Sequence, residues 1–150
     1  EVSGEYPEVG THSSLVDAAS MLMVKDPRRF EILVTSNLFG DILTDLGAAI
    51  AGGRGLAAGA NLNPERIYPS MFGPIHGSAP DIAGQGKANP LAAIWSASQM
   101  LDLFGRENMG SMVLSAIEAD LEEGIVLTPD LGGTATTSQT TNRVLAKLCG

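Results

Sequence analysis

The sequence predicts an α/β fold, and three observations carry this prediction. Phe30–Thr35 (FEILVT) is a short apolar run rich in β-branched residues, which is typical of a buried strand. Leu38–Ala51 follows directly with the pattern of a buried helix, and the glycines after it are a common helix stop. Further helical patterns alternate with segments rich in glycine and proline. Such alternation favours a sheet covered by helices.

Before the predicted strand, Thr11–Val24 has a helical pattern that Ser13 or Ser14 can cap and that Pro27 follows. Residues 52–70 are rich in Gly, Asn and Pro, which predicts a loop with a short strand. Residues 71–86 are expected to form a loop. The next helix is predicted to begin with Asn89 as N-cap and Pro90 at the first position. Two more helices are expected over residues 108–123 and 138–148, the last one capped by the Thr134–Thr137 cluster.

Composition excludes several classes of protein. The 150 residues are 44% hydrophobic and 17% charged, which suits a folded globular protein rather than a disordered one. A net charge of −8 repels nucleic acid, and no apolar run approaches the ~20 residues that cross a bilayer. The first residues lack the pattern of a signal peptide, and Cys149 has no second cysteine to pair with. We therefore expect a cytoplasmic protein without membrane or nucleic-acid partners.

Asp41 and Asp45 stand four residues apart in the otherwise apolar or small segment SNLFGDILTDLGAAI. That spacing places both carboxylates on one face of a helix, where like charges repel each other. A bound divalent cation would offset the repulsion, because carboxylate oxygens are the ligands that hard cations prefer. A solvated helix edge is the alternative, and the spacing alone does not decide between them. Asp17, in the preceding helix, could equally be a single exposed aspartate.

Residues 76–90 (HGSAPDIAGQGKANP) contain glycines that let a backbone approach a ligand closely. His76 can stack or form hydrogen bonds. Asp81 can accept hydrogen bonds from a ribose diol and would repel a 2′-phosphate, which favours NAD over NADP. No G-x-G-x-x-G follows a strand and opens a helix, so the loop is not a Rossmann fingerprint. An ordinary surface loop is the alternative.

SNLFGDILTDLGAAIAG and GPIHGSAPDIAGQGKANPLAAI together resemble the β-decarboxylating dehydrogenases, which include isopropylmalate, isocitrate, D-malate and tartrate dehydrogenases. The resemblance extends from YPEVGTHSSLVDAASM to TPDLGGTATTSQTTNRVL. ANLNPER and IWSASQMLDLFG look most like the tartrate/D-malate branch. The resemblance implies the family's α/β/α layered fold, of which this chain would be the C-terminal part. Residues 1–50 would belong to the dimer-forming, metal-site domain and 51–150 to the NAD-binding domain, although one compact unit is an alternative.

The resemblance also implies the function and the site. We expect the C-terminal part of an oxidoreductase, probably absent from no alternative cofactor scheme: an NAD-dependent and Mg²⁺- or Mn²⁺-dependent dehydrogenase of a small 2-hydroxy acid such as D-malate or tartrate, acting as a homodimer.

 3-Isopropylmalate is the alternative substrate. Asp41 and Asp45 would be metal ligands, with Asp17 of the partner subunit as the third. The implied NAD contacts are with His76, Gly77, Ser78, Ala79, Asp81, Ile82 and Asn89.

The sequence departs from the family pattern in two ways. Gly73 stands where the family usually has a glutamate, in FGPIHG, so a carboxylate near the nicotinamide end is missing. The catalytic lysine and tyrosine and the substrate-binding arginines have no match in this chain and are expected upstream of Glu1. No catalytic residue is therefore assigned. A non-catalytic regulatory paralogue or fragment that keeps the ion and nucleotide contacts is the alternative function.

Overall fold

The computed structural model describes residues 2–149 and divides the chain into two compact units, Glu1–Ile50 and Ala51–Gly150. The first unit contains α1 (Val16–Lys25) and α2 (Asn37–Ile50). The second contains β1 (Ala58–Asn61), β2 (Met71–Pro74), α3 (Leu91–Leu103), α4 (Glu107–Glu123) and α5 (Thr137–Cys149). The division does not test the expected roles of the two parts, which stay predictions. None of the described helices is long and apolar enough to cross a membrane.

In the first unit, α1 packs against α2 through small and flexible apolar side chains. Ala19 and Met23 of α1 are buried against Leu43 of α2. Gly47 lets the helices approach, since a Cβ there would lie 3.7 Å from Met23 Sδ. The helix predicted from Thr11 begins only at Val16, and neither Ser13 nor Ser14 caps it, because Leu15 occupies the N-cap position.

The strand predicted at Phe30–Thr35 is wrong for the described chain. Residues 30–35 form no ladder, and the side chains of Ile32 and Val34 are 87% and 95% exposed. A strand exists only through hydrogen bonds to a neighbouring strand, and within residues 2–149 no segment pairs with this one. The apolar run indicated burial correctly in composition but not in place.

In the second unit, β1 and β2 form an antiparallel pair with Ala58 opposite Pro74 and Asn61 opposite Met71. The short strand expected within residues 52–70 is thus confirmed, whereas β2 lies in a segment predicted to be loop. Helix α3 contacts both strands, α4 packs on α3, and α5 packs on α4. The core of this unit joins all three helices and consists of Leu91, Ala116, Ile117 and Val144.

The three helices predicted after residue 89 are confirmed. Helix α3 begins at Leu91, one residue after the expected start, and Asn89 Oδ1 accepts the Leu91 N–H at 2.9 Å as a capping side chain does. The threonine cluster caps α5 as predicted. The Thr136 N–H donates to Gln139 Oε1 at 2.8 Å while the Gln139 N–H donates to Thr136 Oγ1 at 3.3 Å, which is a capping box.

A charged cluster joins α4 to α5. Asp120 is 1% exposed, with Arg143 Nε 3.4 Å from its Oδ1. Arg143 also bonds Glu123, and Lys147 Nζ donates to Glu123 Oε1 at 2.6 Å. Burial raises the pKa of Asp120 despite the nearby positive charges of Arg143 and Lys147. The hydrogen bonds from Lys147 and Arg143 lower the pKa of Glu123.

We expect Asp120→Asn to become relatively more stable than the parent protein as pH rises. Because the folded state holds the Asp120 proton more tightly, its contribution to stability is complete below the ordinary pKa of 3.8 and is lost as pH rises through the raised value. Asparagine has no such loss. Thermal unfolding midpoints measured from about pH 4 to about pH 7 test this. Glu118→Gln, an exposed change on the same helix, is the control, and a pH-independent difference would contradict the prediction.

Candidate functional site

The acidic face of α2 is formed by Asp41 and Asp45, one helical turn apart. Asp41 is exposed and Asp45 is half-buried. Asn37 Nδ2 donates to Asp41 Oδ2 at 3.3 Å, so an amide joins the two carboxylates at the start of the helix. This set of oxygen donors fits a hard divalent cation.

The acidic face points away from the contact between α1 and α2. Asp41 and Asp45 each lie two residues from Leu43, which is about 160° around the helix from the residue buried against α1. Asp17 lies in the first turn of α1, exposed, with Oδ1 accepting the Ala18 N–H at 2.8 Å. Over residues 2–149, no three His, Cys, Asp or Glu side chains come together to hold a metal. The sequence prediction placed Asp17 of a partner subunit at the site, and that stays a prediction.

The glycine loop (residues 76–89) connects β2 to α3. His76 is half-buried, with Nδ1 2.9 Å from the Gly77 carbonyl oxygen, and Gly77 and Ser78 are exposed. Ala79 has a φ of 43°, a left-handed conformation that costs energy for a residue with a Cβ and that is enriched at ligand sites. The middle of the loop is held by local turns, such as Ile82 N–H to the Ala79 carbonyl at 3.1 Å.

Asp81 and Ile82 are the remaining predicted contacts in the middle of the loop. Asp81 is exposed, and its carboxylate forms no side-chain hydrogen bond within the part of the chain that is described. Only its carbonyl oxygen is engaged, accepting from Gln85 Nε2 at 2.7 Å. Ile82 is half-buried. The Asp81 carboxylate is therefore available to accept hydrogen bonds from a ligand.

Asn89 is 8% exposed, and its side chain is committed to internal hydrogen bonds. Its oxygen accepts from the Leu91 N–H, and its Nδ2 donates to Asp130 Oδ2 at 3.0 Å. These partners determine the orientation of the amide, because a flipped amide would set its oxygen against the Asp130 carboxylate. For a ligand, Asn89 retains its second amide hydrogen and its backbone groups.

The segment 128–137 holds the C-terminal end of the glycine loop. The Thr137 N–H donates to the Gly86 carbonyl at 2.8 Å, and Thr137 Oγ1 donates to the Ala88 carbonyl at 2.6 Å. Thr128 Oγ1 donates to Asp130 Oδ1 at 2.6 Å, which orients the carboxylate that Asn89 contacts. Sequence reasoning missed Asp130 and Thr137 as partners of the loop. Their only local signal was the turn TPDLGG, which does not name residues about 40 positions away.

Glycines permit the close packing around these residues. A Cβ at Gly55 would lie 2.9 Å from Asn89 Cβ and would collide with Asp130 Oδ2. At Gly73, where the family's glutamate is expected, a Cβ would meet nothing within 4 Å. The strand therefore has room for a side chain at Gly73, and no steric constraint in the described chain explains the glycine.

A helix with paired carboxylates and a glycine loop leading into a helix define an α/β protein of ligand-binding type. The family model described as isocitrate/isopropylmalate dehydrogenase matches residues 1–144. The chain therefore belongs to the isocitrate/isopropylmalate dehydrogenase family.

Similar proteins agree with this membership. The chain is 58% identical over 123 residues to a 3-isopropylmalate dehydrogenase of Thermobifida fusca, covering 82% of this chain and 35% of the relative. It is 46% identical over 148 residues to a probable tartrate dehydrogenase/decarboxylase of Bacillus subtilis, covering 99% of this chain and 42% of the relative. The chain thus spans about two fifths of the length of these relatives or less.

A crystal structure of isocitrate dehydrogenase from Methylococcus capsulatus matches with a TM-score of 0.93 and 40% identity, covering 99% of this chain and 44% of that chain. A second, from Thermus thermophilus, matches with a TM-score of 0.91 and 38% identity, covering 99% of this chain and 30% of that chain. These matches confirm the predicted α/β fold of the isocitrate/isopropylmalate dehydrogenase type.

Proposed function

We propose that the protein carrying this chain is a β-decarboxylating dehydrogenase that oxidises a malate-type 2-hydroxy acid with NAD and requires Mg²⁺ or Mn²⁺. The family match over residues 1–144 carries the proposal, because it includes both the acidic face and the glycine loop. The names of the similar proteins support D-malate or tartrate and 3-isopropylmalate as substrates to test.

The acidic face has the donors to hold the ion. Asp41 and Asp45 would each supply a carboxylate, and Asp17 of a second subunit would supply the third in a homodimer. Stabilisation of negative charge on the substrate oxygens is the chemistry that a divalent ion supplies when bound. Hydride acceptance is the chemistry that NAD supplies when bound. The exposure of Asp41 and its position opposite the helix contact support access by a substrate.

The glycine loop has the groups to bind the nucleotide. His76 to Ala79 would lie near the adenosine and phosphates, and Ile82 and Asn89 beside the adenine. The exposed Asp81 carboxylate would accept hydrogen bonds from the ribose hydroxyls and repel a 2′-phosphate. The left-handed Ala79 turns the backbone at the centre of these contacts.

Metal removal tests the proposal directly. We expect the full-length protein to reduce NAD with D-malate, tartrate or 3-isopropylmalate when Mg²⁺ or Mn²⁺ is present, and to lose this activity in EDTA. Absorbance of NADH is the measurement, and restoration by added Mn²⁺ is the control. Unchanged turnover in EDTA would reject the metal-dependent mechanism.

Asp81→Lys tests the assignment of the ribose contact. The change replaces a repelling charge by an attracting one, so the ratio of kcat/KM for NAD to that for NADP should fall by at least about tenfold. Glu118→Lys makes the same change of charge on the exposed side of α4 and should leave the ratio unaltered. An equal effect of both variants would show that the ratio follows net charge rather than a contact with Asp81.

Gly73 is the observation that favours a second candidate, a non-catalytic regulatory paralogue. Such a protein would bind Mn²⁺ and NAD without turning over any of the three acids. Titration of the ion and the nucleotide alongside the turnover assay separates the two candidates.

A further inference from the structure

We propose that Asp130 and Thr137 are positioning residues for the nucleotide, acting through the glycine loop. The inference rests on the proposed function, since it assumes that NAD binds to this loop. Neither residue is expected to touch the reacting atoms. Their effect is to hold the C-terminal end of the loop in one conformation.

The two ends of the loop are anchored, whereas its middle is not. Before the loop, β2 pairs with β1, and the Ile75 N–H donates to the Ala57 carbonyl at 3.1 Å. After the middle, segment 130–137 contacts the loop at three successive points, which are the carbonyl oxygens of Gly86 and Ala88 and the side chain of Asn89. Residues 77–85 have only local turns between these anchors, so their position depends on both of them.

The anchoring segment is itself tied down. The Ala135 N–H donates to the Leu127 carbonyl at 2.9 Å, and the Gly133 N–H donates to the Thr128 carbonyl at 3.1 Å. Asp130 is the central connection, because one carboxylate oxygen accepts from Thr128 and the other from Asn89. Asparagine or alanine cannot accept at both places, so no ordinary substitution preserves the connection.

The order imposed on the loop lowers the entropy that NAD binding must otherwise remove. Loss of an anchor would therefore weaken nucleotide binding more than it changes the chemical step. Asp130 is exposed as a residue, so its replacement by alanine opens no cavity in the core. The proposal therefore predicts a specific change in KM for NAD rather than a general loss of activity.

Four variants of the full-length protein test the inference. We expect Asp130→Ala to raise KM for NAD on the order of tenfold, with kcat at saturating NAD within about twofold of the parent. Thr137→Val, which removes only the hydroxyl, should raise it a few-fold, and Thr137→Ser should restore the parent value. Ser98→Ala is the control. It removes a buried hydrogen bond to the Gly110 carbonyl, 2.9 Å long, between α3 and α4, and should leave KM for NAD unchanged.

Three results would overturn the inference. They are an unchanged KM for NAD in Asp130→Ala, equal behaviour of Thr137→Ser and Thr137→Val, and a matching rise in Ser98→Ala. Hydrogen exchange tests the anchor without NAD, since amides 77–85 should exchange faster in Asp130→Ala, and unchanged exchange counts against the anchor. A parent protein that binds no NAD would refute the proposed function, whereas normal NAD binding that is insensitive to Asp130 would refute only this inference.

Discussion

Asp41→Asn is expected to lower kcat on the order of 10³-fold in the presence of Mg²⁺. The amide keeps the shape of the side chain and removes the charge that would hold the ion, and Lewis-acid stabilisation of the transition state is worth several kcal/mol. The stability of the protein should not fall, because Asp41 is exposed and the change relieves repulsion with Asp45 one turn away.

The opposite signs of these two effects distinguish a ligand from a structural residue. Steady-state kinetics over a range of Mg²⁺ concentrations and thermal unfolding of the same samples provide both measurements. Glu31→Gln, which removes an exposed charge elsewhere in the first unit, should alter neither quantity. Full activity of Asp41→Asn without a higher Mg²⁺ requirement would remove Asp41 from the metal site.

Gly133→Ala is expected to destabilise the second unit by about 3 kcal/mol. A Cβ at Gly133 would lie 2.5 Å from the Leu127 carbonyl carbon and 2.7 Å from Leu127 Cβ, and would overlap the Leu127 carbonyl oxygen. These are mainly backbone atoms, and Leu127 cannot retreat without losing its hydrogen bond from Ala135, which is 2.9 Å long. Urea unfolding measures the loss.

Gly73→Ala is the matched control for this substitution. Its Cβ meets nothing within 4 Å, and its backbone is not among the left-handed positions, so the free energy of unfolding should change by less than about 1 kcal/mol. Equal stabilities of the two variants would show that the turn at Gly133 adapts to a side chain.

The helices were largely predictable because their signals are local. Helix α3 could be located from Asn89 and Pro90, and α5 from the threonine cluster, since capping side chains bond amides within three residues of themselves. The start of α1 was misplaced because two serines with capping chemistry precede it and neither one is used.

The strands were less predictable because a strand depends on its partner. FEILVT has the composition of a buried strand, yet it pairs with nothing among residues 2–149. MFGP, with a glycine and a proline, does not have that composition and nevertheless forms β2 opposite β1. Composition describes one segment, and the ladder is a property of two.

The sequence by itself determined the family, the helices, the paired aspartates of the acidic face and the glycines of the loop, because each is a pattern of neighbouring residues. Only the tertiary structure decided that Asn89 bonds Asp130 and that Thr137 holds Gly86 and Ala88. Those partners lie about 40 or 50 positions apart along the chain. Hydrogen bonds act over about 3 Å in space, so such pairs exist only after the helices have packed and brought both segments together.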